Sequence, residues 1–279
     1  MTLAICLLVL SAALLHAVWN ALVKGSDDKA IVLGLISLGH VIPGLFIVMV
    51  VPLPPIESVP YIIASTIIHW VYYYLLNTAY RIGDFSIIYP IARGLAPVLI
   101  ALGSQIWIGE TLPVLAWAGI LTVSGGIMIL TRGSFSGAIP PSAIVAAVGV
   151  ALAVTAYSLV DGLGIRISGN ALSYIGWLFV NEIFVAAFIF SSQFKRLRVV
   201  SVRTLYIGFA GGVISGLAYA MVLYAKTLAP LGIISALRET SVIFAAIIGV
   251  IWFKEGPRNQ RLFAALIVVV GIGLIAVSA

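Results

Sequence analysis

The sequence predicts an all-α integral membrane protein of ten transmembrane helices, arranged as two inverted five-helix repeats. Three observations predict it: an apolar composition, ten runs of bilayer length, and a spacing of Arg, Trp and Glu that occurs twice. Of 279 residues, 62% are hydrophobic and 9% charged, and the mean hydropathy is +1.21. Soluble domains carry about 25% charged residues, so these few charges could not cover a globule of this size. Lipid is the expected solvent. The net charge of +6 is spread over loops rather than gathered into a groove or tail. That distribution argues against nucleic-acid binding and for a part in membrane orientation.

A hydrocarbon core about 30 Å thick takes about 20 helical residues. The first run, TLAICLLVLSAALLHAVWNALV, has no basic leader and no small-residue cleavage site. It reads as a helix over 3–23 rather than a signal peptide, with Cys6 as a small apolar filler. Helices follow at 30–51, closed by PLPPIESVP, at 59–80, closed by RIGD, and at 86–108, closed by GETLP. The fifth, 113–131, ends at RGSFSGAIPP. The second group covers 142–161, 172–193, 204–225, 229–252 and 261–278, with KEGPRNQR before the last. Long runs without two-residue alternation exclude barrel strands. Glycines such as Gly119, Gly125, Gly126, Gly211, Gly212 and Gly216 are expected where helix backbones approach closely.

Loops after the odd-numbered helices carry eleven Lys and Arg, whereas the opposite side has only Arg166 and Lys226. Positive charge stays in the cytoplasm, so both termini are expected outside, in a plasma or inner membrane.

The repeat appears when YPIARGLAPVLIALGSQIWIGE is set against LRETSVIFAAIIGVIWFKE. One offset of 145 pairs Arg93 with Arg238, Trp107 with Trp252 and Glu110 with Glu255. The same offset pairs Tyr74 with Tyr219 and Gly126 with Gly271. A weaker match sets Trp19 against Tyr157 and Asn20 against Ser158. The chain divides into 1–131 and 142–279, and five crossings per half require the halves to run in opposite senses. Inverted repeats are characteristic of secondary transporters, with substrate sites near the midplane. Arg93 and Arg238 then enter from opposite faces, each about 10 Å deep at 1.5 Å per residue.

HAVWNALVK in the first helix, and helices ending in W-x-x-E, resemble the EamA family of the drug/metabolite transporter superfamily. The resemblance covers the whole chain as two repeats. It implies a central cavity lined by the first, third, fourth, sixth, eighth and ninth helices. It also implies alternating-access transport of small organic solutes such as amino acids, metabolites or drugs. Members are usually drawn with cytoplasmic termini, and the charge count here says the reverse.

Arg93 and Arg238 are the first candidates for substrate binding, because a guanidinium fork matches carboxylate or phosphate. An anionic solute is expected. Pro90 and Pro97 flank Arg93 and interrupt the helical ladder, which marks the fourth helix as the one to line a pocket or move. Glu239 and Glu182 are the membrane-embedded acids and the proton-coupling candidates. Glu239 either pairs across to another helix or carries a proton; Glu182 either bonds a polar neighbour or does the same. His16 and His69 either relay protons or bond substrate. Trp19, Tyr74, Tyr157 and Tyr219 are expected to close over the solute, with Asn20 and Asn77 as neutral hydrogen-bonding groups. No metal spacing, cofactor motif or Walker motif is seen, so neither a metal, a cofactor nor direct ATP use is expected. The leading expectation is a secondary transporter, coupled to protons or exchange, with an uncoupled facilitator as the alternative. An intramembrane enzyme would need a convergent catalytic set, and none is apparent.

Overall fold

The computed structural model describes residues 2–26, 28–82, 85–130, 141–191, 193–197, 199–251 and 258–278. Every described segment of regular structure is helical: α1 (Leu3–Lys24), α2 (Lys29–Val48), a 3-10 turn (Ile56–Ser58), α3 (Val59–Ile82) and α4 (Phe85–Trp107). Then come α5 (Val114–Ile129), α6 (Pro141–Ser168), α7 (Ala171–Ser191), the short α8 (Phe194–Leu197) and α9 (Val202–Ala225). The chain closes with α10 (Leu231–Arg238), α11 (Ser241–Ile251) and α12 (Arg258–Ser278).

Polar punctuation starts these helices. Thr2, Asp28 and Ser201 each accept a hydrogen bond from the backbone N–H three residues on, which satisfies a donor the helix cannot. Pro113 and Pro230 stand at the N-caps of α5 and α10, where a missing N–H costs little. Among the described residues, eight segments are long and apolar enough to cross a membrane, and α5 is a shorter apolar helix. Phe46, Ile63, Phe184, Phe263 and Leu266 face outward, as a lipid-solvated surface requires. The protein is a multi-pass integral membrane protein.

Contacts between helix ends define the path. At one end Arg196 pairs with Asp28 at 2.6 Å, and Gln260 donates to the Ile129 carbonyl. At the other, Ser173 donates to the Pro52 carbonyl, and Arg166 pairs with Glu110 at 2.7 Å. Successive helices therefore run back and forth between two ends. Side by side, α5 packs on α12, α2 on α7, α1 on α9, α3 on α6, α4 on α6 and α1 on α11.

Glycine makes the closest of these approaches possible. A Cβ on Gly271 would sit 2.8 Å from the Gly119 carbonyl oxygen, and one on Gly212 would sit 2.6 Å from the Cα of Gly39. In lipid, where no hydrophobic force drives helices together, such proximity supplies the dispersion that holds them.

Two sequence expectations need correction. The ninth helix is not continuous over 229–252 but divides into α10 and α11 around Glu239 and Thr240. The sixth runs past its expected end at 161 to Ser168, so Arg166 lies on a helix instead of in a loop. The fourth helix runs through Pro90 and Pro97, close to the expected 86–108.

Candidate functional site

The division between α10 and α11 is a tightened turn. The N–H groups of Glu239, Thr240, Val242 and Ile243 each donate three residues back instead of four, a 3-10 pattern that marks hinges when it occurs in mid-helix. Val242 N–H, which an unbroken helix would give to the Arg238 carbonyl, goes to the Glu239 carbonyl at 2.9 Å. The equivalent donor in α4 is missing for another reason: residue 97 is proline, so the Arg93 carbonyl has no N–H four residues on. At the same register of both sequence repeats, the carbonyl of the buried arginine is thus released from the ladder.

The two guanidiniums meet at one carboxylate. Arg93 Nε lies 3.0 Å from Glu239 Oε2, and Arg238 Nη2 lies 3.9 Å from Glu239 Oε1. Arg93 also donates from Nη2 to Ser241 Oγ at 3.1 Å, and its guanidinium stands 5.8 Å from the Tyr89 ring centre. The Glu239 side chain is 0% exposed, and those of Arg93 and Arg238 are 10% and 7% exposed. Adjacent helical residues do not face one another. Arg238 reaches Glu239 because Glu239 sits past the end of α10, in the tightened turn. Both Glu239 oxygens and the Nε atoms of Arg93 and Arg238 lack a hydrogen bond, so the charges meet as ion pairs.

Aromatic residues form a layer beside this centre. His69 stacks on Tyr157 at 4.6 Å, and Tyr72 and Tyr219 meet Tyr157 edge-on. In α1, Trp19 Nε1 donates to His16 Nδ1 at 3.2 Å, and Asn20 donates to the His16 carbonyl at 2.7 Å. Arg93 and Arg238 are within electrostatic reach of His16, which places this helix face toward the charged centre. Sequence reasoning grouped these residues, and the fold brings Arg93, Arg238, Glu239, His16, Trp19, Asn20, His69, Tyr157 and Tyr219 into one connected region.

Tyr74 is a correction. It is 64% exposed, because successive residues turn about 100° around a helix of 3.6 residues per turn. Tyr72 takes the inward position and leaves Tyr74 facing lipid. Glu182 on α7 is buried, close to Ser37 and Tyr73 and within electrostatic reach of His69. The side chain of Asn77, and residues Trp252 and Glu255, lie outside the described residues.

Sequence reasoning missed two buried charges. Asp161 in α6 is 0% exposed; it accepts a hydrogen bond from Tyr174 at 3.0 Å and another from Tyr219. Lys226, read as a loop cation, is 1% exposed and donates to the Ser158 carbonyl at 3.0 Å. Just beyond them, Arg166 donates to the carbonyls of Lys226 and Ala229 while pairing with Glu110. Glu110 in turn accepts from the Leu231 N–H at 2.8 Å. These contacts tie the ends of α4, α6, α9 and α10 together. A mostly apolar crevice lined by Leu8, Asn170, Ile175, Met221 and Tyr224 includes none of the charged residues of this centre.

No protein of curated function matches the sequence. A solved crystal structure of a protein, 16% identical, superposes with a TM-score of 0.79 over 99% of this chain and 99% of its own. That likeness concerns the fold. Residues 141–277 match the family model of the EamA-like transporters. With an all-helical, membrane-spanning fold and that match, the chain belongs to the EamA-like transporter family of the drug/metabolite transporter superfamily.

Proposed function

We propose that this protein is a secondary transporter that moves a small organic anion across the plasma or inner membrane by alternating access. One observation carries the reading: Arg93 and Arg238, from helices far apart in sequence, converge on Glu239 in a buried centre. An ionisable group inside a membrane costs at least about 2.5 kcal/mol to insert. Two arginines with a single carboxylate between them are more cation than packing needs. A carboxylate or phosphonate on the solute would offset the excess.

The helix pairings support a two-fold relation between 1–131 and 142–279. Exchanging each helix of the first half for its counterpart in the second turns α1–α9 into α6–α3 and α4–α6 into α10/α11–α1, and leaves α2–α7 and α5–α12 unchanged. The tightened turn in α10/α11 and the proline in α4 then serve as matched hinges. Burial of Lys226 removes one of the two cations that weighed against termini on the outside, and Arg166 is paired with Glu110.

Uptake of labelled carboxylates, phosphonates and amino acids into proteoliposomes, with and without an imposed proton gradient, tests this reading. Gradient-driven accumulation of an anion is expected. Equilibration that ignores the gradient would make the protein a facilitator, and absence of any anion flux would refute the reading.

A further inference from the structure

The charge count at the centre limits what it can carry. Arg93 and Arg238 contribute two positive charges, and Glu239 contributes one negative charge. Among these groups one positive charge is left over, and the geometry shows where it resides. Arg93 is engaged by Glu239 at 3.0 Å and by Ser241 at 3.1 Å. Arg238 stands 3.9 Å from the same carboxylate, beyond hydrogen-bond length; the Nε atoms of both arginines lack a hydrogen bond, so the shorter ion-pair distance and the Ser241 contact are what set Arg93 apart.

We propose that Glu239 sets the charge of the solute: the centre admits a single carboxylate, held by Arg238, and disfavours a dianion. This deepens the reading of the centre as an anion site and rests on it. A first carboxylate on the solute meets an unsatisfied guanidinium. A second would find Arg93 already occupied and Glu239 repelling it. Glu239 is in this sense a built-in rival, since it takes the place that a second substrate carboxylate would need. Specificity of this kind comes from a repulsive element as much as an attractive one.

Butyrate and succinate make a matched probe pair, with equal carbon number and one or two carboxylates. Binding of each to purified full-length protein can be followed by thermal shift at constant ionic strength and about pH 8, where both acids are ionised. Wild type should bind butyrate at least about tenfold tighter than succinate, and Glu239→Gln should lose or invert that preference. Equal or tighter succinate binding by wild type, or an unchanged ratio in Glu239→Gln, would overturn the charge assignment and leave the anion site standing. Failure of both probes to bind wild type and Glu239→Gln would overturn the anion site itself. Should Glu239→Gln not fold, Arg238→Gln decides: it must lose butyrate binding, and retention would overturn the proposal.

Discussion

Arg93, Arg238 and Glu239 are so far withdrawn from solvent that each depends on the others for its charge. Removing one partner of a buried ion pair typically costs about 3–5 kcal/mol. The geometry makes the costs unequal. Arg93→Met leaves Glu239 still facing Arg238, whereas Glu239→Gln leaves two guanidiniums facing one another. Thermal unfolding in detergent should therefore show Glu239→Gln losing roughly twice as much stability as Arg93→Met; the reverse order would mean that the pairing is not the one described. Lys226 gives a pH signature of its own. Burial pushes its amine from 10.5 down to about 7, while the Asp161 carboxylate pulls the other way. The unfolded chain then binds the extra proton between those values, so stability should rise as pH climbs from about 7 toward 10.5. Lys226→Met should flatten that slope, and an unchanged slope would exclude Lys226 as its source. The sequence disclosed some of these residues and hid others. Arg93 and Arg238 announce themselves because a permanent cation inside a long apolar run is costly wherever it occurs. Asp161 and Lys226 do not, because a charge near a helix end looks the same whether it faces water or tyrosines. The pairing of Arg93 with Glu239 spans 146 positions (239 − 93) and has no local trace.

Helix α4 and the α10–α11 pair reach one backbone state by different chemistry. Pro97 removes a donor from α4, and the tightened turn redirects the donor of Val242, 145 positions later. Proline is visible in a sequence, so the weakness in α4 could be read directly. LRETSV contains neither proline nor glycine, and Glu239 in that turn pairs with Arg93 from α4, a contact no propensity encodes. The fourth helix, marked by its prolines, stays continuous, and the ninth, which carries no such mark, is the one that divides. Helix packing gives a sharper test, because α12 carries its own control. Gly271→Ala would push a methyl to within 2.8 Å of the Gly119 carbonyl oxygen, whereas a Cβ on Gly273 meets nothing within 4 Å. The first change should cost about 1–3 kcal/mol by overpacking. The second should be neutral or stabilising by up to about 1 kcal/mol, since alanine is the better helix former. Equal effects in thermal unfolding would deny the close α5–α12 contact.

Across the whole molecule, composition alone announced a lipid-solvated helical protein, and ten apolar runs laid out most of the crossings to within a few residues. The proposed registration of one half against the other rests in the sequence on the kept spacing of Arg, Trp and Glu. The latch of Glu110, Arg166 and the α9–α10 turn was not, since it joins four helix ends that lie far apart in sequence. The proposed orientation, with both termini outside, rests on loop charge and can be checked by labelling. In a background without Cys6, Glu57→Cys should react with an impermeant thiol reagent applied to intact cells, and Ser201→Cys only after permeabilisation. The opposite pattern would place the termini inside. The central claim is that two arginines from opposite halves hold the solute, and affinity tests it most directly. For the solute found by uptake, saturation at a hundredfold excess over Kd should raise wild-type stability by about 2.7 kcal/mol. In Arg238→Ala that gain should vanish while the unliganded protein stays folded. A full ligand-induced shift in Arg238→Ala, matching wild type, would contradict the account.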